Sequence, residues 1–119
     1  MLIKWKIHKG RHILLLDCRS LPKADLLVLL DEAAEALEKS SGQALVMANV
    51  QGTELNQKFT QKLVQLGKSV FARKVSKTAV VGVTESYKKV FLNTYNILTK
   101  RNMKPFAHEA EALEWLTEK

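Results

Sequence analysis

Three short apolar runs, each followed by a segment of helical length, set the strongest limit on how this chain folds. HILLLD, QALVMANV and TAVVGV are apolar enough to be strands that are covered on both faces of a sheet. The segments that follow carry apolar residues every three or four positions, as helices packed on one side do. Strands that alternate with helices favour a mostly parallel sheet with helices against it.

The other segments complete a predicted order of ββαβαβαβα, a mixed, mostly parallel α/β sheet of about five strands with four helices. LIKWKI alternates apolar and basic residues like a half-exposed strand at or near an edge. The predicted strands are Leu2–Ile7, His12–Asp17, Gln43–Val50, Thr78–Val83 and Met103–Ala107. The predicted helices run from about Lys23 to Lys39, from an N-cap at Thr53 to about Val70, from Glu85 to Lys100 and from His108 to Glu118. A basic connection, FARKVSK, precedes the fourth strand, and residues 1–119 are expected to form one domain.

Charge is unevenly distributed along the chain. The net charge is +7, and residues 55–108 hold eleven Lys or Arg against one acid, Glu85. This asymmetry indicates either a solvated basic surface or an anionic partner. One cysteine, Cys18, excludes an internal disulfide and suits a reducing cytoplasm, and the longest apolar runs are too short to span a bilayer.

The C-terminal half, KTAVVGVTESYKKVFLNTYNILTKRNMKPFAHEAEALEWL, resembles the SpoIIAA-like members of the STAS superfamily (sulphate transporter and anti-sigma-factor antagonist). AVVGV, the lysine-rich helix with LN-x-YN, the basic KRNMKPF and the helix EAEALEWL carry this resemblance. It implies the STAS fold and a non-catalytic regulatory or adaptor module that acts through protein contacts. Some relatives are grouped with lipid-binding domains of the CRAL-TRIO type, so the resemblance also leaves a lipid-like ligand open.

In the phospho-switch antagonists of this superfamily, a serine in Asp-Ser-Ser/Thr-Gly at a helix start is phosphorylated. The corresponding residues here are 49–55, NVQGTEL, which lack the aspartate and the paired hydroxyls. Thr53 alone occupies a comparable position, and whether it is ever phosphorylated stays open.

Candidate ligand-binding residues lie where the predicted strands end, because open α/β sheets bind ligands outside the carboxyl ends of their strands. We call this edge the strand-end rim. Its candidates are Asp17, Arg19, Ser20, Gln51, Thr53, Thr84, Glu85, Ser86 and His108, with Cys18 beside them. Thr84 is also a good N-cap, and Gly82 is expected to allow close packing of a helix.

No sequence motif in the chain indicates a particular catalytic reaction. G-x-S-x-G, G-x-x-x-x-G-K-[ST] and G-x-G-x-x-G are absent from the sequence, and the histidines show no metal spacing. We therefore predict no catalytic residue, no metal and no cofactor. Chemistry at the rim, such as a pair formed by Cys18 and His108, is the minority alternative.

The partner classes follow from two surfaces. Val28 and Leu29 make the apolar stripe of the first helix wider than one face needs, which predicts a contact with another protein or a homodimer. Lys88, Lys89, Lys100, Arg101 and Lys104 form a predicted basic surface for an anionic ligand, a phospholipid or membrane surface, or a nucleotide. Nucleic acid is less favoured, because Tyr87 and Tyr95 fit the core stripe of their helix and are then not free to stack on bases.

Overall fold

The computed structural model describes residues 2–118 of the chain. Within that range the strands are β1 (Ile3–His8), β2 (Arg11–Asp17), β3 (Ala44–Asn49), β4 (Val75–Val81) and β5 (Met103–Phe106). The helices are α1 (Lys23–Lys39), α2 (Gln57–Lys68), α3 (Val70–Lys74), α4 (Ser86–Thr99) and α5 (Glu109–Leu116). The predicted α/β class is confirmed. The segment predicted as a basic connection forms α3 and the start of β4, so the described residues contain five helices rather than four.

The strands pair in the order β1-β2-β3-β4-β5. β1 runs antiparallel to β2, with Trp5 opposite Leu14, and the later neighbours pair in parallel. β1 and β5 therefore form the edges of the described sheet. The alternating lysines of β1 and Pro105 in β5 suit such edges, where a charged side chain or a missing N–H does not interrupt the ladder.

Helices cover the two faces of the sheet unequally. Consecutive parallel strands lie side by side, so crossovers of one hand place the intervening helices on the same face. Leu26 of α1, Phe59 of α2 and Leu92 of α4 accordingly share one apolar core with the sheet. On the opposite face α5 packs with a second set of buried strand residues, Ile13, Leu45, Met47, Ala79 and Val81. β2, β3 and β4 are thus buried on both faces, as their apolar runs predict.

The helix α2 begins later than predicted. Its N-cap is Asn56, whose side-chain oxygen accepts a hydrogen bond from Phe59 N at 2.8 Å. Thr53 was a reasonable candidate by residue type, but its side chain is buried and bonded elsewhere. Asn is as good an N-cap as Thr, so the start of the helix is decided by tertiary contacts.

The buried side of α4 also differs from the prediction. Lys88, Leu92 and Tyr95 face the core. Of the core stripe that the apolar spacing predicts, Tyr87, Val90 and Leu98 are instead turned outward. The exposed fractions are 47% for Tyr87, 64% for Val90, 77% for Ile97 and 50% for Leu98. We call these four residues the α4 stripe. The prediction that Tyr95 is buried holds, and the one for Tyr87 is wrong.

The predicted apolar pair on α1 is not a surface pair. Leu29 is buried in the core, so Val28 is the only one of the two that is exposed. A single exposed valine is ordinary for a protein surface. The larger exposed apolar surface therefore lies on α4, not on α1.

Gly82 packs against a loop rather than a helix. Its φ is +90°, and a Cβ there would lie 2.6 Å from the backbone nitrogen of Gln51. The close helix approach occurs instead at Gly67 of α2, where a Cβ would lie 2.6 Å from the hydroxyl of Tyr95 on α4.

We predict that Gly82→Ala lowers the free energy of unfolding by about 2 kcal/mol or more, because both left-handed backbone strain and a backbone clash result. Gly10→Ala is the matched control, since Gly10 also has a positive φ, +75°, but nothing lies within 4 Å of its Cβ position. It should cost about 1 kcal/mol, from strain alone. Urea unfolding of the two variants measures the difference, and equal losses would contradict the close contact with Gln51.

Candidate functional site at the carboxyl ends of the strands

The carboxyl ends of β2, β3 and β4 lie next to one another, and backbone hydrogen bonds continue past the strands. Cys18 N donates to Asn49 O at 2.9 Å, and Val50 N donates to Val81 O at 2.8 Å. Gly82 N donates to Phe106 O at 3.3 Å. The loops that carry the predicted rim residues therefore start from one edge of the sheet.

Thr53 joins two of these loops from the inside. Its side chain is buried, and its hydroxyl donates to the backbone carbonyl of Cys18. Thr53 N also donates to Val50 O at 3.1 Å. A kinase cannot reach this hydroxyl in the folded protein, so Thr53 has a structural role in the conformation described here.

Lys88 is the buried charge of the rim. Its side chain is 0% exposed, and its ammonium group donates to Val50 O at 2.9 Å. The same nitrogen lies 2.8 Å from Oε2 of Glu85, whose side chain is 41% exposed. The prediction that Lys88 belongs to a basic surface is wrong, because it points inward across the end of β3.

Glu85 is tied to two neighbours and is the residue that precedes α4. It accepts hydrogen bonds from Lys88 and from the hydroxyl of Thr84, which hold the pKa of Glu85 below its ordinary value, Lys88 having the larger effect. Glu85, not Thr84, is the N-cap residue of α4, and among the described residues its side chain caps no helix N–H. The carboxylate is instead engaged with the buried ammonium.

The other rim candidates are surface groups. Asp17 and Arg19 form an exposed pair with two contacts of 2.9 Å, and this arginine lowers the pKa of the Asp17 carboxyl. Ser20 has a positive φ of 60° in the following turn. Further exposed positions are Gln51, Thr84, Ser86 and His108. Among the described residues, no hydrogen bond joins Asp17, Arg19 or His108 to Lys88.

Cys18 does not have the environment of a nucleophile. It is buried, and burial, helped by the nearby Asp17 charge, raises the pKa of its thiol to about 12. A thiol with this pKa stays protonated at neutral pH. His108 is exposed at the start of α5, and within residues 2–118 no hydrogen bond links it to Cys18.

The predicted basic surface is divided by the fold. Lys89 and Lys100 are exposed on and just after α4, and Lys104 lies over the Phe106 and Trp115 rings on the α5 side. Arg101 donates to the backbone carbonyl of Val75. Two of the five predicted residues thus remain beside the α4 stripe.

An apolar cavity of about 60 Å³ lies behind the rim, between the sheet and the helices α1, α2 and α4. The lining includes Leu14, Leu16, Val46, Leu30, Leu63 and Leu92, together with Cys18 and Lys88. Part of Lys88 therefore lines the cavity while its ammonium group bonds at the rim. The sequence predicts neither the cavity nor the buried position of Lys88, although the Glu85–Lys88 spacing of three residues on a helix is a recognisable ion-pair signal.

Residues 2–118 contain neither a cluster of metal ligands nor a helix able to span a membrane. No cluster of three or more His, Cys, Asp or Glu side chains there is arranged to hold a metal ion. None of the helices in that range has the length and apolar character needed to cross a membrane.

Comparison with solved structures gives a match to "an Anti-sigma-factor antagonist (STAS) domain protein from Planctomyces limnophilus". The TM-score is 0.64, with 98% of each chain covered and 13% sequence identity. The chain has a STAS-like fold. At this identity the likeness shows the fold alone. No protein-family model and no curated protein sequence matches the chain.

The Glu85–Lys88 pair predicts a specific acid sensitivity. The pKa of Glu85 is lower in the folded than in the unfolded protein. The ionised carboxylate therefore contributes its full stabilisation at pH values above the pKa of the unfolded chain. This stabilisation is lost as the pH falls through the pKa of the folded state, which lies below the ordinary 4.5 of a glutamate. Glu85→Gln should therefore be less stable than wild type at neutral pH and should lose less stability in acid, as measured by urea unfolding at several pH values.

Glu35→Gln is the matched control for this measurement. Glu35 pairs with Lys39 at 2.7 Å, but both side chains are largely exposed, so solvent screens the pair. Its effect should be smaller at every pH. An unchanged acid dependence in Glu85→Gln would contradict a stabilising role for the buried pair.

Proposed function

We propose that the chain is a non-catalytic regulatory or adaptor module that binds a partner protein through the α4 stripe. The observation that carries the proposal is the exposure of Tyr87, Val90, Ile97 and Leu98 on one helix. Apolar side chains gathered on one surface mark interaction sites more often than scattered ones do. In this proposal residues 1–119 act as a single domain in the cytoplasm.

The geometry of α4 supports a continuous contact surface. Residues three, four and seven positions apart lie on the same side of a helix, so Val90 and Ile97 form one row and Tyr87 and Leu98 border it. The core side, with Leu92 and Tyr95, lies about a quarter to a half turn away. A helix with two apolar sides is expected to cover the second one with a partner.

The chemistry of the rim supports a role in binding rather than catalysis. Thr53 is buried in a loop contact, the Cys18 thiol has a raised pKa, and Lys88 is held by an ion pair. A catalytic nucleophile needs an activating base or a lowered pKa, and the pKa of the buried Cys18 thiol is shifted in the opposite direction. The solved protein of similar fold is described as an anti-sigma-factor antagonist domain protein, and antagonism of a sigma-factor regulator is itself a protein-binding activity.

Site-specific photo-crosslinking in cells tests the protein contact. A photoreactive amino acid in place of Ile97, which is 77% exposed, should give a discrete protein adduct. The same amino acid in place of Val28, which is exposed on α1, should not. The adduct should be lost when Leu98→Asp is added, because a carboxylate in the contact is costly to desolvate.

Mass spectrometry of the adduct separates the outcomes. An adduct of two copies of this chain identifies a homodimer, and sedimentation of the purified protein should then show a dimer that Leu98→Asp dissociates. Equal crosslinking at positions 28 and 97, or an adduct unaffected by Leu98→Asp, would contradict α4 as the contact surface.

A second candidate partner is an anionic phospholipid surface. Lys89 and Lys100 are exposed next to the α4 stripe, and the single acid of residues 55–108, Glu85, is paired with Lys88. Apolar side chains bordered by lysines are the usual chemistry of helices that lie on anionic membranes.

Vesicle sedimentation tests this candidate. At low salt the protein should bind vesicles that contain phosphatidylglycerol and not vesicles of phosphatidylcholine alone. Lys89→Glu should weaken binding by at least about fivefold, and Ile97→Asp should weaken it further. Val28→Asp is the control and should bind as wild type does. Absence of binding to both vesicle types would exclude this partner.

A further inference from the structure

The apolar cavity behind the rim contains a charge that stability alone does not explain. Its lining is almost entirely aliphatic and aromatic, yet Lys88 belongs to it and is 0% exposed. Replacing a buried ion pair by apolar residues of similar volume is often neutral or stabilising. If Lys88 only joined α4 to the end of β3, its contacts would therefore add little to stability, because they would mainly offset the free energy of desolvating the ammonium group.

The Lys88–Glu85 pair lies across the boundary between the cavity and solvent. The ammonium group is buried, while the carboxylate that it binds is 41% exposed. Glu85 is therefore the solvent-accessible partner of the pair, and Lys88 is the buried one. The Glu85 carboxylate occupies the position that the carboxylate of a ligand would take.

The cavity wall is less deeply buried beside this pair than elsewhere. Leu55, Val83 and Phe91 line the cavity and are only partly buried, unlike most of the lining. Leu55 N donates to the hydroxyl oxygen of Tyr87 at 3.4 Å, which joins the loop before α2 to the first turn of α4. A hydrogen bond of this length is weak. This is therefore the part of the cavity wall at which a ligand would enter.

We propose that the cavity binds a straight-chain monocarboxylate with a short apolar tail. The carboxylate of the ligand replaces that of Glu85 at Lys88, and the tail lies along the lysine methylenes into the cavity. The volume of about 60 Å³ is several times the roughly 15 Å³ that a cavity needs in order to hold one water molecule, so the tail has a few carbon atoms. The lining itself contains no residue of the α4 stripe, and Tyr87 is the stripe residue that contacts its edge, at Leu55.

Competition between Glu85 and the ligand makes the proposal testable with three variants. Glu85→Gln removes the internal carboxylate, so butyrate, hexanoate and octanoate should bind to this variant at least about tenfold more tightly than to wild type. The bound carboxylates should raise the melting temperature of the variant. Lys88→Met keeps the length of the side chain and removes its charge, so binding should be lost. Lys89→Met is the matched control one residue away on the exposed side and should bind as wild type does.

Calorimetry and thermal unfolding measure these affinities, and methyl NMR of the wild-type protein with octanoate gives a readout that needs no variant. The methyl signals of Leu14, Leu63 and Leu92, which line the cavity, should shift with octanoate and less with its uncharged methyl ester. Affinity should rise from butyrate to hexanoate and then level off as the cavity is filled.

Equal binding by Lys88→Met and wild type, or no tighter binding by Glu85→Gln, would overturn the proposal. The proposal would also be overturned if octanoate shifted none of the cavity methyl signals. Leu98→Asp should bind carboxylates normally, so failure here is distinguishable from failure of the α4 contact.

Discussion

The hydrogen bond from the Lys88 ammonium group to the carbonyl of Val50 fixes the orientation of α4, and much of the surface follows from it. It joins a helix to the end of the central strand β3, and Glu85 neutralises the charge from outside. With Lys88 turned inward, Leu92 and Tyr95 enter the core, and the hydroxyl of Tyr95 reaches the surface of α2 at Gly67. On the other side of α4, Tyr87, Val90, Ile97 and Leu98 consequently point to solvent.

The strands were the most predictable part of the molecule. Buried parallel strands are recognised as continuous apolar runs, and the runs of β2, β3 and β4 are too short for typical buried helices. The helix α4 was less predictable, because YKKVFLNTYNIL supports two apolar sides about a quarter to a half turn apart. Periodicity favours the side with more apolar residues, whereas the structure buries the side with the lysine. A charged residue that finds a backbone carbonyl and a carboxylate reverses that preference, and neither partner is visible from spacing alone.

The position of the candidate site was predictable from topology, but the roles of its residues were not. The order of strands and helices places the loops after β2, β3 and β4 at one edge. Which side chains line a cavity depends on the direction that each takes in the folded chain. Thr53 and Lys88 were expected at the surface and are buried, and Arg101 bonds to a strand backbone. The surface pair Asp17–Arg19 is local in sequence, and such pairs are the ones that sequence reasoning finds most readily.

The single helix on the second face of the sheet has a consequence for synthesis of the chain. Ile13, Leu45, Met47, Ala79 and Val81 are covered by α5, which is made after every strand that it covers. During translation this face stays bare until α5 has left the ribosome, and a bare apolar sheet is prone to contacts with other nascent chains. The first face has no such delay, because α1, α2 and α4 each follow directly on strands that they cover. We therefore expect the core beneath α1, α2 and α4 to form first. The other face of the sheet is expected to stay prone to aggregation until α5 packs on it.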